Sequence, residues 1–578
     1  MRTNGNCPRR RTALLRGGAA WSVLALLLVC GCSEKGRQVK RFREFVREHR
    51  EQVKPILVDY NRAWWEANTT GEEEAFDRRA DLEVRLTEAY SDSEDFAFLR
   101  DMREKDLLDD PVEKRLLLVL YLKYLGNQGD PELRRQIIEQ GAKLEQTFAN
   151  FRGLMAGREV SDNDIEEVLT ESVDSGDRRE AWEASKQVGA AVAADLRELV
   201  KMRNEAARSL GYRDHFALSL ALTEVDEEEL FSLFDELDRR TAGPYQRLKA
   251  RLDAALAKRY GVTPGAMMPW HYSDPFFQEA PDITEVDLDG IYEDEDILAL
   301  ARRYYEGLGF EVQDILDRSD LYEREGKNQH AFATDIDREG DVRVLLNLKP
   351  NSRWMDTALH ELGHAVYDQY IDPEVPWLLR ERSHSITTEG IAMMFGRFAR
   401  SPVWLEEMGL IGPERTREVA PQLREMDALG QLIFSRWCQV MVRFERELYA
   451  NPDREDLNDL WWELVGRYQG LVKPAGRNNP DWAAKIHFVV APVYYHSYML
   501  GELFAAQLHA TLAQEVLGLD DPRQTAFVEK PRVGDFLREK VFGPGNTMNW
   551  RDLVVHATGR PLDVDAYARR FAAWRTES

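Results

Sequence analysis

Residues 350–373 read Pro350-Asn351-Ser352-Arg353-Trp354-Met355-Asp356-Thr357-Ala358-Leu359-His360-Glu361-Leu362-Gly363-His364-Ala365-Val366-Tyr367-Asp368-Gln369-Tyr370-Ile371-Asp372-Pro373. Pro350-Asn351-Ser352 supplies a helix start, Trp354, Leu359, Leu362 and Val366 carry the apolar positions, and Asp372-Pro373 is the stop. Within this helix stands His360-Glu361-Leu362-Gly363-His364, with imidazoles at i and i+4. One turn of helix then aims two nitrogen ligands at one ion, and Glu361 sits beside them to act on a metal-bound water.

A catalytic zinc site needs a third protein ligand and an open position. Thr387-Thr388-Glu389-Gly390-Ile391-Ala392-Met393-Met394 reads as the start of a second helix, with Glu389 placed 25 residues after His364. Two histidines and a glutamate on an adjacent helix make a gluzincin-type ligand set, so His360, His364 and Glu389 are the expected metal residues. His384, five residues earlier, is the competing third ligand.

Outward from this pair, Val342, Val344, Leu346 and Leu348 alternate after a turn at Asp337-Arg338-Glu339-Gly340, with Gln329 to Ile336 as the preceding strand. This predicts a β-hairpin beside the metal helix. Elsewhere the helical period dominates: Leu199, Met202, Ala206 and Leu210 share a face that Gly211 terminates, so the class is mainly α. No repeat, low-complexity tract or Pro/Gly-rich linker divides residues 37–576, which read as a single domain with two lobes.

The chain has 578 residues, with 77 Lys+Arg against 102 Asp+Glu and 43% apolar residues. This acidic, globular composition excludes a basic nucleic-acid binder. Residues 1–31 carry five arginines and no acid, then an apolar run from Ala19 to Val29 that is too short to span a membrane. They read as a secretory signal. Its end, Leu28-Val29-Cys30-Gly31-Cys32, resembles a bacterial lipobox, with Cys32 as the acylated residue and 32–36 as a short tether. The expectation is an exported cell-envelope lipoprotein, with plain secretion as the alternative. Without residues 1–31 the balance is 72 bases against 102 acids, so membrane attachment rests on the acyl chains alone. Cys438 then remains as a single body cysteine, read as a buried small hydrophobe.

Further segments make the chain resemble the peptidyl-dipeptidase A family, the family of angiotensin-converting enzyme. His330-Ala331-Phe332-Ala333 stands 30 residues before His360, like that family's HAxA edge segment. Lys485-Ile486-His487-Phe488 is similar to its KFH segment, and Tyr495 and Tyr498, three apart, to its tyrosine pair. Weaker matches occur at Arg203-Asn204-Glu205-Ala206-Ala207-Arg208 and from Trp461-Trp462 to Tyr468-Gln469-Gly470. The resemblance implies a large helical ellipsoid with a deep central cleft, one zinc ion, and release of carboxyl-terminal dipeptides from peptide substrates. It also implies that His330 and Tyr498 hydrogen-bond the scissile carbonyl oxygen, and that Ala331 and Ala333 offer backbone groups to the substrate. Lys485 and Tyr495, with His487 nearby, are implied to bind the substrate's terminal carboxylate end.

This sequence departs from the family pattern in places. Met393 occupies the position of an aspartate that supports a zinc histidine, so that support must come from elsewhere. Ser497 and Val465 replace two chloride-site arginines, which argues against chloride activation. The glutamine that helps hold the substrate carboxylate falls near Tyr272. Two other functions share these features: a thimet-type zinc oligopeptidase, and a peptide-binding lipoprotein without catalysis. A calcium loop at Glu285–Asp296 is the weaker reading of acids that start a helix.

Overall fold

The computed structural model describes residues 18–574, with side chains described from residue 34 onward. The signal segment 1–31 and Cys32 lie outside the described side chains. Among the described residues no helix is long and apolar enough to cross a membrane.

Helices build the molecule, as the periodicity predicts. Among the described residues the β-strands form two small antiparallel hairpins, β1 (Gly153–Met155) with β2 (Arg158–Val160), and β3 (Phe332–Asp335) with β4 (Val342–Leu345). The helices that matter most for the site are α1 (Gly18–Thr70), α2 (Ser175–Ser209), α3 (Glu227–Arg259), α4 (Ser352–Gln369), α5 (Ser385–Gly396), α6 (Pro413–Ala450) and α7 (Tyr495–Thr511). Their starts follow local chemistry. Asp226 caps α3 through the Glu229 N–H, with Glu227 to Glu229 in the favourable first turn. Asn351 caps α4 through the Trp354 N–H.

A continuous core runs from Leu144 to Phe571, and the apolar faces of α4, α5, α6 and α7 lie in it. A second cluster joins Phe42 of α1 and Phe98, Leu99, Met102 and Leu120 to Ile371, Val375 and Trp377, which follow the metal helix. The N-terminal helices therefore brace the chain just after α4.

The predicted hairpin is present but shorter than its sequence pattern. Asn347 takes the Asn328 and Gln329 carbonyls with its amide, so the chain before Phe332 is held by a side chain and not by the ladder. The register pairs Phe332 with Leu345 and Ala333 with Val344. β4 is bordered on its far side by a bridge to Asp320, while β3 pairs with β4 alone. The calcium-loop acids are otherwise engaged: Asp287 accepts from the Gly290 N–H, and Asp289 accepts from the Ser352 N–H and hydroxyl at the start of α4. Cys438 is fully buried.

A candidate metal and peptide site

α4 and α5 cross closely because small residues meet there. A Cβ on Gly363 would lie 3.1 Å from Ala392 Cα, and one on Gly390 would lie 2.6 Å from Phe504 Cδ1 of α7. Gly501 of α7 faces the Glu389 Cβ and the Gly390 N–H in the same way. Three helices are thereby drawn together around one point. There His360, His364 and Glu389 place their ligand atoms within 4.8 Å of one another, which is the expected set. The His360 Nε2 to Glu389 Oε2 distance is 3.8 Å, and the two imidazole rings stand nearly perpendicular, 4.9 Å apart.

The surroundings favour metal ligation. Burial, with Arg382 and His360 adding to it, pushes His364 well below the usual imidazole range, so it presents a neutral ring. Its Nδ1 lies 2.6 Å from Thr388 Oγ1, which leaves Nε2 for a metal. The support that Met393 lacks thus comes from the residue beside the glutamate ligand. Both ring nitrogens of His384 have other partners: Nδ1 accepts the Ile386 N–H as the cap of α5, and Nε2 lies 2.8 Å from the Thr223 carbonyl. Burial holds it down at about 4.

Glu361 is 8% exposed. Burial raises its pKa, with His360 opposing and Glu389 reinforcing that shift, while the Ala333 backbone N–H and Arg382 also favour its charged form. Arg382 is held by Asp368, 2.7 Å from its Nε. Burial works against the Arg382 charge, and Asp368, Glu361 and Glu389 outweigh it. Ala333 thus joins the strand β3 to the carboxylate. Ala333 on this strand and Ala331 just before it are half-buried, and His330, next to Ala331, is exposed, with its backbone N–H on Asn328 Oδ1.

On the other side of the first turn of α7 lies a cationic cradle. Lys485 Nζ donates to Gln278 Oε1 at 2.7 Å and sits within about 5–6 Å of the ring centroids of Phe276, Trp437 and Tyr495. Gln278 is thus a glutamine at the Lys485 ammonium, six residues after Tyr272. Tyr272 instead donates to Asp253 and accepts from Lys249, in a separate network. Burial brings Lys485 down to about 8, against the pull of Asp274 and Glu279. His487 packs against Tyr495, and its Nδ1 is buried without a hydrogen-bond partner. A further ammonium, Lys186, lies 3.1 Å from the Phe276 ring centroid, and burial pushes it to about 7.

Tyrosines link the two halves. Tyr494 Oη donates to Glu389 Oε1 at 3.4 Å, its ring lies 5.0 Å from that of Tyr498, and Tyr498 lies 5.6 Å from Tyr495. Tyr494, Thr388, Gln278, Lys186 and Arg382 were missed from sequence. Gln278 alone had a sequence signal, as the glutamine that follows Trp270-His271-Tyr272 by a few residues. Ser497 is buried against Ser385, and Val465 is also buried, so neither offers a cation.

The weaker sequence matches turn out to be struts. Arg203 donates to the Phe488 and Val489 carbonyls at 2.8 and 2.7 Å, and so holds the loop after Lys485. Gln469 donates to the Phe276 and Phe277 carbonyls, and so holds the loop that presents Gln278.

Comparison with known proteins agrees with this arrangement. The family model described as angiotensin-converting enzyme, peptidase family M2, matches residues 37–574. Among curated proteins, the angiotensin-converting enzyme-like protein Ace3 of Mus musculus is 23% identical over 431 residues, 68% of this chain and 57% of its own length. The angiotensin-converting enzyme of Bos taurus is 26% identical over 434 residues, 69% of this chain and 32% of its own length. That of Theromyzon tessulatum is 21% identical over 428 residues, 69% of this chain and 68% of its own. The match therefore spans only about a third to two thirds of these relatives. With the family model covering nearly the whole chain, the protein belongs to the angiotensin-converting enzyme family of metallopeptidases.

Proposed function

We propose that the protein is a zinc peptidyl-dipeptidase, cutting peptides near a free carboxyl end. The observation that carries this reading is that one turn of α7, Tyr494 to Tyr498, touches Glu389 on one side and Lys485 and His487 on the other. A metal cluster and a buried ammonium held by the same turn suit a substrate whose terminal carboxylate lies close to the cleaved bond. Two extended residues reach only ~7 Å.

The donor set of two neutral imidazoles and a carboxylate fits zinc. Held by His360, His364 and Glu389, zinc would supply Lewis acidity toward the carbonyl and toward a water. The chain's residues do the rest. Glu361, raised by burial, accepts the proton of the attacking water and returns it to the leaving amine. The Ala333 N–H keeps that carboxylate oriented, and the edge made by β3 and by Ala331 just before it pairs with the substrate backbone through Ala331 and Ala333. Tyr498 and His330 donate to the developing oxyanion. Lys485, Gln278 and Tyr495 bind the terminal carboxylate, and His487 Nδ1 bonds to the substrate backbone.

Product analysis of a free-acid peptide and its amidated twin tests this reading, with Glu361→Gln as the control. Dipeptides released from the free acid alone, and lost in the control, are expected. Internal cuts in both peptides would transfer the reading to an oligopeptidase, and binding without any cut would transfer it to a peptide-binding protein.

Export and acylation at Cys32 belong to the same proposal, supported by the basic-then-apolar layout of residues 1–31 and the lipobox-like end. Metabolic labelling with a fatty-acid analogue should mark the protein, and a Cys32→Ala variant that is labelled equally would refute the anchor.

A further inference from the structure

A cavity of about 790 Å³ lies behind the metal helices. It is bounded by the end of α5, the turn Arg397–Arg400, the first half of α6, the last turns of α7, the stretch 514–525 and the segment from Ala566 to Trp574. It shares no residue with the site described above, and its volume falls in the range of sites that enclose small molecules.

Six arginines line its wall against four carboxylates, Glu425, Asp427, Asp520 and Asp521, and Arg397 and Arg570 are the two of the six that are not exposed. Arg397 bonds to Glu502 through Nη2 and approaches Asp427 through Nε at 3.4 Å, while its Nη1 is buried without a hydrogen-bond partner. Arg570 has neutral partners: Nη1 donates to Gln431 Oε1 at 3.1 Å, and Nη2 lies 3.4 Å from His509 Nδ1. Among the described residues no carboxylate lies within ion-pair distance of Arg570. Burial, with Arg397 beside it, brings Arg570 down to about 10, and burial holds His509 at about 3, so the histidine is neutral. Asp427 and Glu502, the partners of Arg397, are near enough to pull on Arg570, but its own direct hydrogen-bond partners are an amide and a neutral imidazole. The wall also has an apolar part, with Phe398, Val403, Leu423, Phe571 and Trp574 among its members.

We propose that this cavity is a second ligand site, which takes a small organic anion made of a carboxylate on an apolar body, its head between Arg397 and Arg570. A planar guanidinium presents paired donors that match a carboxylate, and the apolar part of the wall takes the body. The Arg397–Glu502 pair joins the turn that ends α5, which carries Glu389, to α7, which carries Tyr498, so the ligand sits at the back of both helices.

Calorimetric titration of the full chain with decanoate, and with decanamide as the uncharged twin, tests the proposal. Decanoate should bind saturably at one site, decanamide at least about tenfold more weakly. Decanoate binding should persist in Lys485→Gln and in the presence of a saturating free-acid dipeptide, which separates this cavity from the peptide site. It should weaken at least about tenfold in Arg570→Gln and be lost in Ala510→Trp, which fills the cavity; thermal melting of both variants checks that they fold. Equal binding of the two probes, loss of binding in Lys485→Gln, unaltered binding in a folded Ala510→Trp variant, or no saturable binding would overturn the proposal.

Discussion

Replacing Thr388 by valine removes one oxygen and little volume, yet it acts on the metal ligand His364. The Nδ1 to Oγ1 distance is 2.6 Å, and both side chains are buried, at 7% and 5% exposure. With Nε2 given to a metal, Nδ1 keeps its proton and needs an acceptor. Valine leaves that N–H buried and unpaired, which costs about 1–3 kcal/mol. The metal-bound state requires this tautomer, so the loss falls on metal affinity, as it does for other partners of metal-ligating histidines: about 10- to 100-fold. Competition for zinc against a chromophoric chelator reads this directly. Thr388→Val should bind zinc about 10- to 100-fold more weakly, while Thr388→Ser, which retains the hydroxyl, should stay close to the parent. A valine variant within about twofold of the parent, or a serine variant as weak as the valine one, would refute the reasoning.

Lys485 brings a pH dependence of defined sign. Its folded-state pKa is about 8, so the free protein loses this charge as pH rises through that value. The kcat/KM for free-acid peptides should then fall about tenfold per pH unit above 8, and Lys485→Arg should flatten that limb; a parent profile that stays level in this range would remove Lys485 as the anchor. Gly390→Ala forces a Cβ to 2.6 Å from Phe504 and 3.0 Å from the Gly501 carbonyl. Thermal or urea denaturation should show a loss of about 1–3 kcal/mol. Gly430→Ala in α6, where nothing lies within 4 Å of the new Cβ, should be neutral or stabilising by up to about 1 kcal/mol. Equal stability of Gly390→Ala and Gly430→Ala would mean that the helix crossing is looser than described.

The sequence alone determined the metal cluster, the mainly helical class and the hairpin beside α4. His360 and His364 were legible because a helix repeats every 3.6 residues, so residues four apart share a face in any fold. Asn351 and Asp226 were legible as helix starts because a cap acts on N–H groups two or three residues away. Glu389 needed one further step, a second helix following the first at short range.

Tertiary structure alone decided the rest. His384 and Glu389 were rivals in one short segment, and the Thr223 carbonyl, 161 residues from His384, occupies the histidine's second nitrogen. The glutamine beside Lys485 is Gln278, 207 residues distant, because the loop after Tyr272 is pinned by Gln469 from yet another part of the chain. The hydroxyl of Thr388 became the partner of His364 because glycines at 363, 390 and 501 let three helices approach. Periodicity and capping depend on neighbours along the chain, so they can be read one segment at a time. Hydrogen-bond partners between loops depend on where the whole core places those loops, and no local pattern carries that information.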